Sequence, residues 1–159
     1  EEARRLFAYD PETGVLTRKV RTSNCVKVGD AAGCNGAHGY LRVMAKNRLY
    51  AVHRIILLIV NGCWPEHQVD HINHDRADNR LCNLRCVTHG ENRKNGTRPS
   101  NNSSGHVGVS WHKCTQKWSV RIHVNGESLH IGLFANINDA ITARAAANIE
   151  FGYHPNHGT

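Results

Sequence analysis

No stretch of this chain is apolar enough to cross a membrane as a helix. Its longest unbroken apolar run covers residues 55–60, whereas a spanning helix needs about 20 residues. The start of the chain, Glu1-Glu2-Ala3-Arg4-Arg5, has none of the apolar stretch of a secretory signal, so the chain reads as intracellular. Its six cysteines never fall in a Cys-x-x-Cys pair, which argues against the common zinc and redox frameworks and favours free thiols. Cys82 and Cys86, with His74 or His89 nearby, form the one cluster able to hold zinc. Two-Cys clusters without the usual spacing are mostly packing residues, so structural zinc is not expected. Aromatic residues make up only 6%, which limits the core, yet a hydrophobic fraction of 40% is too high for a disordered chain.

Acidic residues are also scarce, 13 against 20 Lys and Arg, for a net charge of +7 over 159 residues. A surface of that sign attracts polyanions, and phosphate is the expected partner. The excess is uneven: 16 Lys and Arg face 10 Asp and Glu before residue 105, and 4 face 3 after it.

Residues 2–8 read as a short helix, followed by the turn Asp10-Pro11-Glu12-Thr13-Gly14 and a strand at 15–17. A cluster of Arg18, Lys19, Arg21 and Lys27 precedes a glycine-rich loop, and reads as a solvated surface. Residues 40–44 and 49–52 flank Lys46-Asn47 as a hairpin. Residues 53–61 look like a buried helix stopped by Gly62 and Pro65. The polar run 98–105 lacks apolar periodicity and reads as a linker. Beyond it, strand patterns at 107–112, 117–124 and 128–134 precede an Ala-rich helical pattern at 137–151.

Residues 69–92 are dense in metal ligands and bases. Residues 69–71 form a strand entry, 84–87 alternate like a return strand, and the Asn and Asp residues between them favour a looped hairpin. Thr88 followed by Glu91 fits a capping box, which starts a helix with Asn92 in its first turn, close to the strand carrying Asp70. Any one of these residues alone would be explained as a turn former or a helix cap. The ordered set is much harder to obtain by chance.

This pattern resembles the HNH nuclease family, through His53-Arg54, Asp70-His71-Ile72-Asn73, Asp78-Asn79-Arg80, Asn83-Leu84-Arg85 and Glu91-Asn92. It is most similar to the phage-type homing and nicking branch, as are the upstream Tyr9–Leu16 segment and Gly39-Tyr40. The resemblance implies a ββα-metal fold, with His71 as general base, Asn83 locking the hairpin loop, and Asp70 with Asn92 as metal ligands. Asn92 stands where the family name implies a third His, and His89 is an alternative ligand nearby. Oxygen ligands suit Mg²⁺ or Mn²⁺. An imidazole with an ordinary pKa near ~6.5 can take a proton from water at working pH. Arg85 or Arg93 could neutralise flanking phosphates, and Arg42, Lys46 and Arg48 place further cations on the first hairpin.

The C-terminal part, through Gly108-Val109-Ser110-Trp111, Lys117–Ile122, Ile131–Phe134 and its Ala-rich helix, resembles the plant ethylene-response (Apetala-type) DNA-binding domain. That resemblance implies a three-stranded antiparallel sheet backed by one helix, a domain often appended to phage homing nucleases. Alternation puts Val120, Ile122 and Val124 on the helix-facing side with Leu129, Ile131 and Leu133. Ser110, His112, Ser119, Arg121, His123, Ser128 and His130 fall on the opposite, open face. Arg121, His123 and His130 are its candidate DNA contacts, with Lys113 and Lys117 beside them, although the plant domains carry more arginines at the positions of Ser110 and His123.

The expectation is therefore an α+β chain: a nuclease domain at 1–98 with its core at about 68–96, a linker at 99–104 and a DNA-reading domain at 105–159. It would cut double-stranded DNA with Mg²⁺ or Mn²⁺, as a monomer in preference to a dimer, in the host cytoplasm if phage-encoded. The competing readings are a catalytically idle DNA-binding regulator and an RNA-binding or RNA-processing protein, since either nucleic acid suits the charge.

Overall fold

The computed structural model describes residues 1–159, and the chain divides into two compact units, Glu1–Thr88 and His89–Thr159. In the first, helix α1 (Glu2–Leu6) runs into strand β1 (Phe7–Tyr9), which pairs antiparallel with β2 (Leu16–Arg18). The helix expected over 2–8 thus stops at Leu6. Phe7 turns extended (φ −133°, ψ 151°), and both it and Leu16 are buried. A two-turn helix has little stability of its own, so strand pairing decides these residues.

The connecting turn is closed by Asp10, whose Oδ1 accepts from Glu12 N (3.0 Å) and whose Oδ2 accepts from Thr13 Oγ1 (2.8 Å). Its last residue, Gly14, has φ +74° and lies against the Asn79–Arg80 backbone, where a Cβ would come 2.6 Å from Arg80 N. A side chain cannot be accommodated at that approach.

Strands β3 (Cys34–Asn35), β4 (Leu41–Ala45) and β5 (Arg48–Ala51) form an antiparallel sheet in that order. Lys46 and Asn47 at the β4–β5 turn both have positive φ, 45° and 59°, the geometry that matches the strand twist of a two-residue hairpin. Helix α2 (Val52–Asn61) buries Val52, Ile55, Ile56 and Leu57 and ends at Gly62 in the left-handed conformation. Strands β6 (Gln68–His71) and β7 (Leu84–Val87) then pair antiparallel. Val69 and Leu84 enter the same core as Phe7, Leu16, Val43 and the buried face of α2, so the β6–β7 hairpin is packed against a rigid support.

The second unit begins with the short helix α3 (His89–Arg93). Strands β8 (Val109–His112), β9 (Lys117–Val124) and β10 (Glu127–Phe134) form an antiparallel sheet with β9 central. Helix α4 (Ile137–Glu150) is capped by Asn136, whose Oδ1 accepts from Asn138 N at 2.8 Å. It buries Ala140, Arg144 and Ala147, a spacing that puts all three on one face.

Three sequence expectations change here. A bulge between His130 and Gly132 reverses the alternation of β10, so Phe134 rather than Leu133 joins the core with Val120, while Leu133 lies opposite Ser119. A one-residue shift of this kind moves every following side chain to the other face. Ser119, expected to be open, is flanked in register by Ser110 and Leu133 and is only 4% exposed. Leu129, expected to face the helix, is exposed.

The stretch read as a linker is tied into the second unit. Arg98 Nη1 donates to Gly105 O (2.9 Å) and Ser104 Oγ to Val109 O (2.6 Å). His154 N and Gly158 N donate to Lys94 O (3.1 Å) and Gly96 O (2.9 Å). The division between the two compact units falls after Thr88. Small polar residues without periodicity look like linkers, but their side chains can also bond the backbone and fix it.

Candidate active site

The β6–β7 register pairs Asp70 with Arg85 and His71 with Leu84. Val69 and Leu84 face the core, and Asp70 and His71 at the end of β6 are themselves 9% and 3% exposed. Asp70 Oδ2 accepts from both Arg85 Nε (2.9 Å) and Nη2 (2.7 Å). Arg85, expected to meet phosphate, thus has its guanidinium engaged by the carboxylate beside it.

The loop between the strands is held by Asn83. Its Oδ1 accepts from Asn73 N (2.9 Å), its Nδ2 donates to Asp78 O (2.8 Å), and its backbone O accepts from Ile72 N (2.9 Å). Asp78 adds a pair of bonds to Arg80 (2.9 and 2.7 Å) and one from Asn73 Nδ2 (2.8 Å). The Arg80 bonds in particular hold its carboxyl well below the usual range. Asn83 thus holds the loop closed through its own backbone and side-chain bonds.

Asn79 is the residue that sequence reasoning passed over. It is 2% exposed, its Nδ2 donates to Ala77 O (3.2 Å), and its Oδ1 lies 3.2 Å from His71 Nε2. A carbonyl oxygen can only accept, so the Ala77 bond fixes which end of the amide carries the nitrogen. The Oδ1 end then faces His71 and can only accept, so Nε2 carries the proton and Nδ1 carries the lone pair. The backbone of Asn79 is positioned in turn by Tyr9, whose Oη donates to Asn79 O (3.0 Å), and by the close approach of Gly14. This explains the upstream Tyr9–Gly14 motif, and the signal available in the sequence was its pairing with Asp78-Asn79-Arg80.

His71 also belongs to a ring cluster. His53 meets it edge-on with centroids 5.1 Å apart, Tyr40 lies 5.3 Å from His53 and 5.7 Å from His71, and Arg76 sits 4.9 Å over Tyr40. Burial, then the neighbouring His71 and Arg54, lower the His53 pKa to about 4. Burial likewise lowers that of His71, against the Asn79 bond and the carboxylates of Asp70, Asp75 and Asp78. Both rings are neutral at pH 7, and a neutral imidazole is the form that can accept a proton.

The remaining candidates are dispersed. Asn92, half-buried, lies on α3 in the second unit, as does the exposed Arg93. Arg42 and Arg48 are exposed on β4 and β5, and the exposed Lys46 makes an ion pair with Glu2 (3.3 Å). Lys113 and Lys117 are exposed around the β8–β9 turn, and Arg121, His123 and His130 are exposed on the sheet face away from α4, with Arg121 opposite His130 and His123 opposite Ser128.

A strand that delivers a buried Asp-His pair, with the imidazole tautomer fixed by a third residue, has the layout of a hydrolytic centre. Residues 50–94 match the family model of the HNH endonuclease. Among solved structures the chain is similar to that of "DNA binding and cleavage by the HNH homing endonuclease I-HmuI", with 22% identity and a TM-score of 0.43 over 56% of this chain and 50% of that one. This chain thus spans about half the length of that protein. No curated protein matches it. None of its helices is long and apolar enough to cross a membrane.

Proposed function

We propose that this protein is a metal-dependent endonuclease of the homing or nicking type that hydrolyses phosphodiester bonds in double-stranded DNA. The observation that carries the reading is the Asn79–His71 arrangement beside Asp70 on β6, a neutral imidazole with its tautomer set, within a segment of the HNH family. His71 Nδ1 takes a proton from water as the water oxygen bonds to phosphorus. The bond to the 3′ oxygen breaks and that oxygen takes a proton from solvent water, leaving a 3′ hydroxyl and a 5′ phosphate. Asp70 carboxylate and Asn92 amide oxygens are the donor types a hard divalent cation prefers, with His89 an alternative. When bound, Mg²⁺ or Mn²⁺ supplies positive charge against the developing charge on the phosphate oxygens. Arg85, bonded to Asp70, orients that carboxylate and is not proposed as a phosphate contact.

The exposed sheet face with Arg121, His123 and His130 supports DNA reading by an Apetala-type module, with Lys113 and Lys117 at its margin. Cations on one open face of a sheet suit a major groove. One centre per chain makes nicking by a monomer the simplest course. Incubating supercoiled plasmid with the full chain, with Mg²⁺ or with EDTA, tests this: nicked circles only with Mg²⁺ are expected, and intact plasmid under both conditions would refute it.

A further inference from the structure

Strand β8 pairs with β9 only over Lys117–Val120, so the edge of β9 beyond it has no strand neighbour on that side. The carbonyls left there are taken by side chains: Arg144 Nη1 donates to Arg121 O (2.6 Å) and Tyr153 Oη to His123 O (2.6 Å). A cavity of about 880 Å³ opens along this edge within the second unit, bounded on its other side by residues 89–99. That volume is in the range of ligand-sized sites, about 300–1,000 Å³.

The lining contains Arg93, Lys94, Arg121 and Arg144, and neither Asp nor Glu. None of these four cations takes part in the ion pairs Arg5–Glu2, Lys46–Glu2, Arg80–Asp78 and Arg85–Asp70. Lys94 Nζ donates to Phe151 O (2.7 Å) and lies 5.8 Å from the Tyr153 ring centre, and Arg144 lies 5.1 Å from the same ring. Arg144 is only 5% exposed, and its Nε has no hydrogen-bond partner. Removing a guanidinium from water without a counter-charge is costly, and burial accordingly lowers its pKa. Cations around a concave, low-dielectric wall focus a positive potential into it.

We infer that this cleft, which shares Arg121 and His123 with the open sheet face, binds the phosphodiester backbone of DNA independently of base sequence, through Arg93, Lys94 and Arg144. The inference rests on the nuclease reading for its choice of DNA as the polyanion. The division of labour is physical: phosphate contacts position a duplex, and base contacts specify it.

The test is the salt dependence of binding of the full chain to a random-sequence duplex, by fluorescence anisotropy in EDTA so that no strand is cut. Each lost phosphate contact should lower the steepness of log Kobs against log salt by about 1. The exposed Arg93→Gln should therefore reduce it by about 1, and Arg93→Gln with Lys94→Gln by about 2. Melting of both variants near the parent temperature excludes misfolding. An unchanged slope in folded variants overturns the inference. If inorganic phosphate raises the melting temperature of the parent but not of the double variant while the DNA slope is unchanged, the cleft holds a free phosphate anion and the DNA assignment fails. Loss of the slope in a chain that never cuts plasmid would sink the nuclease reading and leave the anchor standing.

Discussion

Asn79→Asp alters the centre by one atom type. The carboxylate has the shape of the amide, keeps an acceptor 3.2 Å from His71 Nε2 and loses the donor to Ala77 O. Asn79 is 2% exposed and His71 3%, so the new charge would be poorly screened. A carboxylate within hydrogen-bond reach raises the pKa of an imidazole, by about 1–3 units for an opposite charge at that range. His71 starts below its ordinary value because of burial, so the substitution moves it upward. The base works only when neutral, and the acidic limb of the pH–rate profile should therefore move to higher pH by about 1 unit or more. Below that limb the variant should cut about tenfold more slowly per unit of displacement, and at high pH it should recover most of the parent rate. The assay is initial nicking rate against pH at saturating Mg²⁺. Asn79→Leu, which cannot accept, should instead slow cleavage at every pH and destabilise the fold by about 1–3 kcal/mol by leaving a buried N–H unpaired. An acidic limb in Asn79→Asp that coincides with the parent's would refute the contact as the device that sets His71.

Other consequences follow from the same geometry. Gly14→Ala puts a Cβ 2.6 Å from Arg80 N and 2.8 Å from Asn79 C at φ +74°; it should lower the melting temperature, with strain of about 1–3 kcal/mol, and slow cleavage through displacement of Asn79. His53, 8% exposed and with its pKa lowered from 6.5 to about 4, stays neutral in the fold but takes a proton when unfolded. Its contribution is present above pH 6.5 and is lost as pH falls toward 4, at most about 3 kcal/mol from the shift; urea melts should show a shallower decline between pH 6.5 and 4.5 in a folded His53→Gln. Asp70→Ala and Asn92→Ala should each raise the Mg²⁺ concentration needed for half-maximal cleavage, since each removes an oxygen donor from a weakly held hard cation; parent-like titrations of both would move the metal elsewhere, with His74 and His89 the next candidates.

Much of the fold was legible because its signals are local. The β4–β5 turn, the α2 stop at Gly62 and the Asp70–Val87 hairpin follow from turn residues and periodicity, and the structure has all three. The C-terminal strand and helix patterns lie within two residues of the observed bounds at most ends. What escaped depends on partners distant in sequence. The short strand β3 exists only because β4 pairs with it, and Phe7–Tyr9 is extended only because Leu16–Arg18 lies alongside. The bulge in β10 leaves no mark in its alternation until the register is known. At the site, Asp70, His71 and Asn83 were readable as a pattern of residue types. The tautomer set by Asn79, and the capture of Arg85 by Asp70, required the loop to close in space.

The central claim is that His71 is the base and the surrounding residues only hold and tune it. His71→Ala in the full chain, assayed for nicking with Mg²⁺ and for duplex binding without it, tests this directly. Nicking should fall by about 10²–10⁴ while the duplex dissociation constant stays within about twofold of the parent, because the imidazole acts on water and takes little part in holding phosphate. A folded His71→Ala that nicks plasmid at the parent rate would contradict the account.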